Sequence, residues 1–174
     1  MSVGNIPEVI NAFNAYHNGN KMIGVTDSVT LPTLEAITEE IRGAGILGSY
    51  ESSIPGHYPS IAQEVPYRIL DEDVFSIMNP NEPVDLTFRA SEQSTVKATG
   101  ALDYTSMRIV ERGRLKSFSA GKLEQGKQME AVVTLEVLYY LVEIDGKTML
   151  EYDKLNSVFV INGEDVLEKV RAYS

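Results

Sequence analysis

A mostly antiparallel β protein follows from three features of this 174-residue sequence. Between residues 10 and 160 the dominant apolar period is two, the period with which side chains alternate across a strand. Alternating runs are joined by turn pairs, of which Asp145-Gly146 is the clearest, since both central positions of a type I′ hairpin turn need positive φ. Helical periodicity with end signals is confined to two short stretches.

Strands are expected in chain order at residues 11–17, 21–25, 29–41, 60–69, 84–93, 101–112, 131–144, 147–153 and 157–161. The stretch Ile6 to Tyr16 reads either as a short helix or as an arm, about residues 1–10, leading into a strand; Asn18-Gly19-Asn20 then forces a turn. "DEDVFSIMNP" opens on three acids and stops before Pro80, and "GEDVLEKVRAY" opens on Glu164 and Asp165 and closes on Lys169 and Arg171. Both suit a helix dipole, which places the C-terminal helix at about 164–172. No repeat, linker or low-complexity segment divides the chain, so residues 1–174 read as one domain.

The least regular segment is "GAGILGSYESSIPGHYPS", residues 43–60, with four glycines, two prolines and four serines. A loop of that length is uncommon in a compact domain and usually has a function. Its Gly43-Ala44-Gly45-Ile46-Leu47-Gly48 matches the letters of a dinucleotide fingerprint. The fingerprint works only where a helix opens on the glycines after a strand, and here serines and Pro55 follow.

Composition excludes several function classes. With 43% apolar residues the chain can bury a sizeable core. There are no cysteines, and His17 and His57 lack metal-ligand spacing, so neither a disulfide framework nor a zinc site is expected, and no cofactor is implied. No nucleophile elbow is present, and the acids Asp71, Glu72 and Asp73 suit a first helical turn better than a catalytic cluster; an enzyme is not expected. The N-terminus lacks a signal peptide and no run is long enough to span a membrane, so synthesis in a cytoplasm without membrane anchoring is expected. Net charge is −10, and residues 1–85 carry 12 acids against 3 bases, while 86–174 carry 13 against 12. An acidic chain gains nothing from counterion release on nucleic acid, although an acidic surface that repels DNA has its own use.

The run "EVLYYLVEIDGKTMLEYD", residues 136–153, sets a packing problem. Leu138, Tyr140, Val142 and Ile144 share one face, but Val137, Tyr139 and Leu141 on the other are apolar too. Something must cover both sides.

Three longer stretches carry a resemblance. "TLEVLYYLVEIDGKTMLEYDKLNSVFVINGEDVLEKVR", "IPEVINAFNAYHNGNKMIGVTDSVTLPTLEAITEEIRGAGILG", and the middle pair "DLTFRASEQ" and "MRIVERGRLKSFSAGKLEQGK" together resemble the major tail tube proteins of contractile-tailed phages, in the same order and over essentially the whole chain. The family is related to the tubes of R-type bacteriocins and type VI secretion. Membership implies the tail-tube fold, an antiparallel β-sandwich or barrel-like protomer with one or two short flanking helices. It also implies homo-hexamer rings that stack into the inner tube, a sheath around them, a tape measure protein in the lumen, and baseplate and tail terminator proteins at the ends. DNA passes through the lumen without specific binding, and the protein ends up in the virion.

On that resemblance, strand alternation makes Glu35, Glu39 and Glu64 the expected lumen carboxylates, with the opposite parity, Thr38 and Glu40, left open. Residues 43–60 are expected to contact the next ring through Tyr50, Ile54 and Tyr58. The basic residues Arg108, Arg112, Arg114 and Lys116, with Lys122 beyond, are expected to face a neighbouring subunit or the sheath. The two-sided apolar strand would then be covered by a flanking helix or a neighbour. Alternatives are a bacteriocin or other contractile particle without DNA, and, from a different class, a monomeric β-barrel binding module with an internal cavity.

Overall fold

A computed structural model describes residues 4–174. The first strand, β1 (Asn5–His17), turns through Asn18-Gly19, both at positive φ, into β2 (Asn20–Met22). An extended strap, 25–37, follows and leads into a hairpin of β3 (Thr38–Arg42) and β4 (Ser49–Ser53). Next come β5 (Ala62–Tyr67), the short helix α1 (Glu72–Ser76), β6 (Val84–Val96), β7 (Leu102–Ser119), β8 (Ala131–Ile144) and β9 (Lys147–Asp153). The chain finishes with β10 (Val158–Ile161), β11 (Glu164–Asp165) and α2 (Glu168–Tyr173). The β8–β9 hairpin turns on Asp145 and Gly146 with φ of 52° and 74°, the type I′ geometry the pair calls for.

The main sheet runs β11-β10-β9-β8-β7-β6-β1-β2, and β5 pairs with β8 outside that path. It closes on itself. Val25, just past β2, bridges to Tyr67 at the end of β5, with Thr26 N–H donating to Pro66 O at 3.1 Å and Arg68 N–H donating to Gly24 O at 3.0 Å. Since the first half of β8 holds β5 on one side and β7 on the other, the circuit β5-β8-β7-β6-β1-β2 is a small barrel. The second half of β8 leaves that circuit and pairs with β9 instead.

Val65, Tyr67, Leu86, Val133, Leu135 and Val137 fill the barrel, all at most 2% exposed. Helix α1 and its C-cap residue add Val74 and Ile77 to the same core, and its N-terminus is capped by the Asp71 carboxylate, which accepts from Val74 N–H at 3.2 Å.

The two-sided strand has a local explanation. Along β8 the buried positions are odd up to Val137 and then switch to Tyr140, because the β7–β8 register slips by one residue between Val137 and Tyr139. The extra residue, Leu138, is a bulge, and a bulge exchanges the faces of everything beyond it. Opposite it stands Gly113, where a Cβ would lie 2.0 Å from Glu136 O, so the strands approach that closely only with glycine there. On the outer face Leu141 pairs with Val110, both buried. Flanking them on that face are the Arg108–Glu143 pair and the Arg112–Tyr139 pair. Within the chain this cover comes from long side chains of the sheet itself and not from a helix; their stems lie over apolar surface while their charged ends stay wet.

Other boundaries also shift. Residues 5–10, expected as part of an arm, are the start of β1 and pair with β6 at 92–96; residues 1–3 of that arm lie outside the described residues. The strand expected over 29–41 keeps a ladder only at 38–42. Pro32 has no N–H to give, and residues 29–37 instead lay Val29 and Leu34 against the core. The loop expected over 43–60 contains β4, so the excursion is a ribbon with a turn at 43–48. The C-terminal helix begins at Glu168, because Glu164 and Asp165 pair with β10 across Asn162-Gly163.

Candidate functional site

No group of three or more metal-ligating side chains occurs among the described residues, apolar side chains fill the barrel, and the residues singled out in the sequence lie on surfaces of the chain. The first is the β3–β4 ribbon. Its register pairs Glu39 with Ser52, Glu40 with Glu51 and Ile41 with Tyr50. One face thus carries Glu39, Ile41 and Tyr50, while the other sets Glu40 directly against Glu51, with Arg42 on the same face and Thr38 Oγ1 donating to Glu51 at 3.4 Å.

The ribbon is firmly rooted. On the return leg, Gly56 O accepts from the Tyr152 hydroxyl at 3.1 Å and Pro59 O accepts from Lys154 Nζ at 2.9 Å. Ser60 Oγ donates to Glu136 at 2.5 Å and accepts from Lys116 at 2.7 Å. Burial pushes the Glu136 carboxyl up, but hydrogen bonds from Ser60 and Lys116 outweigh it and hold the group below the usual range. Tyr58 packs edge-on between Tyr152 and Phe159 at 5.1 and 5.8 Å. Of the three residues expected at the inter-ring contact, Tyr50 and Ile54 are exposed, whereas Tyr58 is half-buried at the root.

The expected lumen carboxylates separate into two places. Glu35 on the strap and Glu64 on β5 line one open depression with Thr30, Thr33 and Ser60. Glu39 lies on the ribbon. The sequence reading missed Glu51 because only the hairpin register brings it opposite Glu40.

The basic row is largely occupied within the chain. Arg108 donates to Glu143 at 2.6 Å, which raises the guanidinium and holds the carboxyl below its usual range. Arg112 meets Asp85 at 3.0 Å and lies 4.7 Å over the Tyr139 ring. Lys116 pairs with Glu136 at 3.3 Å, and Lys122 pairs with Glu130 at 3.5 Å. Arg114 alone of the expected row has no ionic partner among the described residues.

The sequence model of the phage tail tube protein FII family matches residues 7–173. The chain is 30% identical over 169 residues to the tail tube protein of Escherichia phage P2, covering 95% of this chain and 96% of that one. It is 26% identical over 162 residues to the major tail tube protein of Serratia phage KSP20, covering 92% and 91%. In fold it is similar to a solved chain described as the sheath/tube terminator of an extracellular contractile injection system (PVC) in the extended state. That likeness has a TM-score of 0.54 at 16% identity over 79% of this chain and 96% of that one. With a match running from the first strand through the last helix, and with the antiparallel fold to accompany it, this chain belongs to the phage tail tube protein FII family.

Proposed function

We propose that the chain is the repeating unit of the inner tube of a contractile phage tail, a structural rather than catalytic role. Six copies close into a ring and rings stack into a conduit for DNA, with the sheath outside and the tape measure protein inside during assembly. Baseplate and terminator proteins bound its ends. Its site is the virion, after assembly in the host cytoplasm.

One observation carries the assembly reading. The chain exposes 11241 Å², roughly a third more than the about 8,400 Å² expected of a compact monomer of its mass. Large apolar side chains are exposed on projecting parts of it: Ile37 at the end of the strap, Leu47 and Tyr50 on the β3–β4 ribbon, Ile6 and Val9 on β1, and Tyr104 on β7. Large apolar side chains exposed on projections favour association, and copies of the chain that cover one another would bury them. The filled barrel weighs against a ligand-binding monomer.

In this reading Glu35, Glu39 and Glu64 line the conduit, where carboxylates repel the phosphate backbone and keep DNA moving. Electron microscopy of the purified protein over a concentration series, with sedimentation velocity alongside, tests assembly. Hollow rings or tubes are the expected result; a strict monomer at every concentration rejects the proposal.

A further inference from the structure

We infer that the C-terminal helix α2 is a latch on the hinge of the β3–β4 ribbon: Leu167 seats on the glycine turn at 54–57, and the ribbon takes a single direction only while that seat is filled. The contact lies within one chain, goes beyond the tube reading and does not depend on it.

The hinge is a turn and not a ladder to the barrel. Its two legs are stapled together, with Ile54 N–H donating to Ile37 O at 2.9 Å and Ile37 N–H donating to His57 O at 2.9 Å. His57 N–H donates back to Ile54 O at 3.1 Å, with Pro55 in second place and Gly56 in third at a φ of 77°, the signature of a type II turn. Turn and ribbon therefore move as one piece. Tyr58, Pro59 and Ser60 are held to the body of the chain, but they come after the turn and leave it free to pivot.

Two groups grip the turn itself. The Tyr152 hydroxyl donates to Gly56 O at 3.1 Å, and Leu167 lies directly on Gly56, where a Cβ would stand 2.8 Å from Leu167 Cδ1. Leu167 is half-buried and packs on the edge of the core. It is presented by a bracket of charge: the Asp165 carboxylate accepts from Leu167 N–H at 3.0 Å and pairs with Arg171, whose guanidinium also donates to Ser157 O at 2.9 Å.

The latch is weak by construction. Helix α2 has six residues, no side-chain cap at its start and no buried residue of its own, and a helix that short has little stability apart from its docking. Between it and the turn lies an open cleft of about 340 Å³, with Pro55 and His57 on one side and Val170 and Arg171 on the other. That cleft gives the turn room to swing when Leu167 withdraws. Elements held by so few contacts open without the core. The barrel circuit is complete by Ile144, so the direction of the ribbon is the last feature that the chain acquires.

The chain has no cysteine, so two can be introduced for spin labels: Tyr50→Cys on the ribbon and Lys147→Cys at the β8–β9 turn, both exposed. In dilute, unassembled protein the distribution of distances between the labels is expected to be narrow, and about twice as broad or more once Leu167→Ala is added. Gly56→Ala, which pushes Leu167 off its seat, should broaden it as well. Deuterium exchange of the β6 to β8 amides should stay at the wild-type rate in Leu167→Ala. A distribution that stays narrow in either variant overturns the inference, and so does a broad one in the parent, since the ribbon would then have no fixed direction to lose. Faster exchange of β6 to β8 in Leu167→Ala overturns it too, because the leucine would then serve the core and not the hinge.

Discussion

Glu111 is the residue whose placement costs the fold most visibly. It points into the barrel between Leu86 and Tyr140, is 1% exposed, and neither carboxyl oxygen has a hydrogen-bond partner among the described residues. Burial raises it from 4.5 to about 8. From pH 4.5 to about 8 the folded chain therefore keeps a proton that the unfolded chain releases, so the stability this group contributes is full below 4.5 and is lost as pH rises through 8. Replacing Glu111 with Gln should flatten that slope and raise the urea midpoint at about pH 9 while changing little at about pH 5. An unchanged pH slope in urea titrations of the variant would show that another group is responsible. The neighbouring Gly113 makes the opposite demand. Gly113→Ala forces a Cβ onto the Glu136 carbonyl, so the strands must part, and a loss of about 2 kcal/mol or more is expected in the same titrations.

At the scale of elements, the ribbon behaves as an arm held at its base. Its strands contribute no ladder to the barrel, and its position depends on Tyr58 and the hydrogen bonds to Gly56, Pro59 and Ser60. Tyr58→Ala removes two edge-on ring contacts, each worth about 0.5–1.5 kcal/mol. The barrel should lose a few degrees of Tm, and amides of 38–42 and 49–53 should exchange with deuterium faster in the variant than in the wild-type protein. Equal protection of the ribbon in both proteins would mean that Tyr58 does not hold it. The root was only partly legible in the sequence: Tyr58 is visibly aromatic, but its partners Tyr152 and Phe159 are about a hundred residues away and meet it only after β9 and β10 have formed.

At the scale of the molecule, closure and charge act together. The circuit closes through little more than the Val25–Tyr67 bridge, and this keeps the strap and β5 side by side so that Glu35 and Glu64 share one depression. Reversing both, Glu35→Lys with Glu64→Lys, should leave tubes intact, because both side chains are exposed, yet cut DNA delivery about tenfold or more at low salt by placing attractive charges where DNA slides. Wild-type infectivity of such a phage would remove these residues from the lumen.

The fold class, the β8–β9 hairpin and the helix at Asp71 were legible because their causes are local: alternation, a turn pair that tolerates positive φ, and a cap with acids in the first turn. The acidic first half of the chain was legible for the same reason. Only the tertiary structure decided the rest. Which face of β8 turns inward depends on a one-residue slip against β7, and alternation is blind to a slip. The basic row looked like an open patch because its acids Asp85, Glu136 and Glu143 lie 20 to 35 residues distant and become neighbours through strand register alone. Sequence determines which residues can form strands, turns and caps, since those depend on each residue and its near neighbours. The partner across the ladder, and so the charge and cover of every surface, is set by long-range pairing.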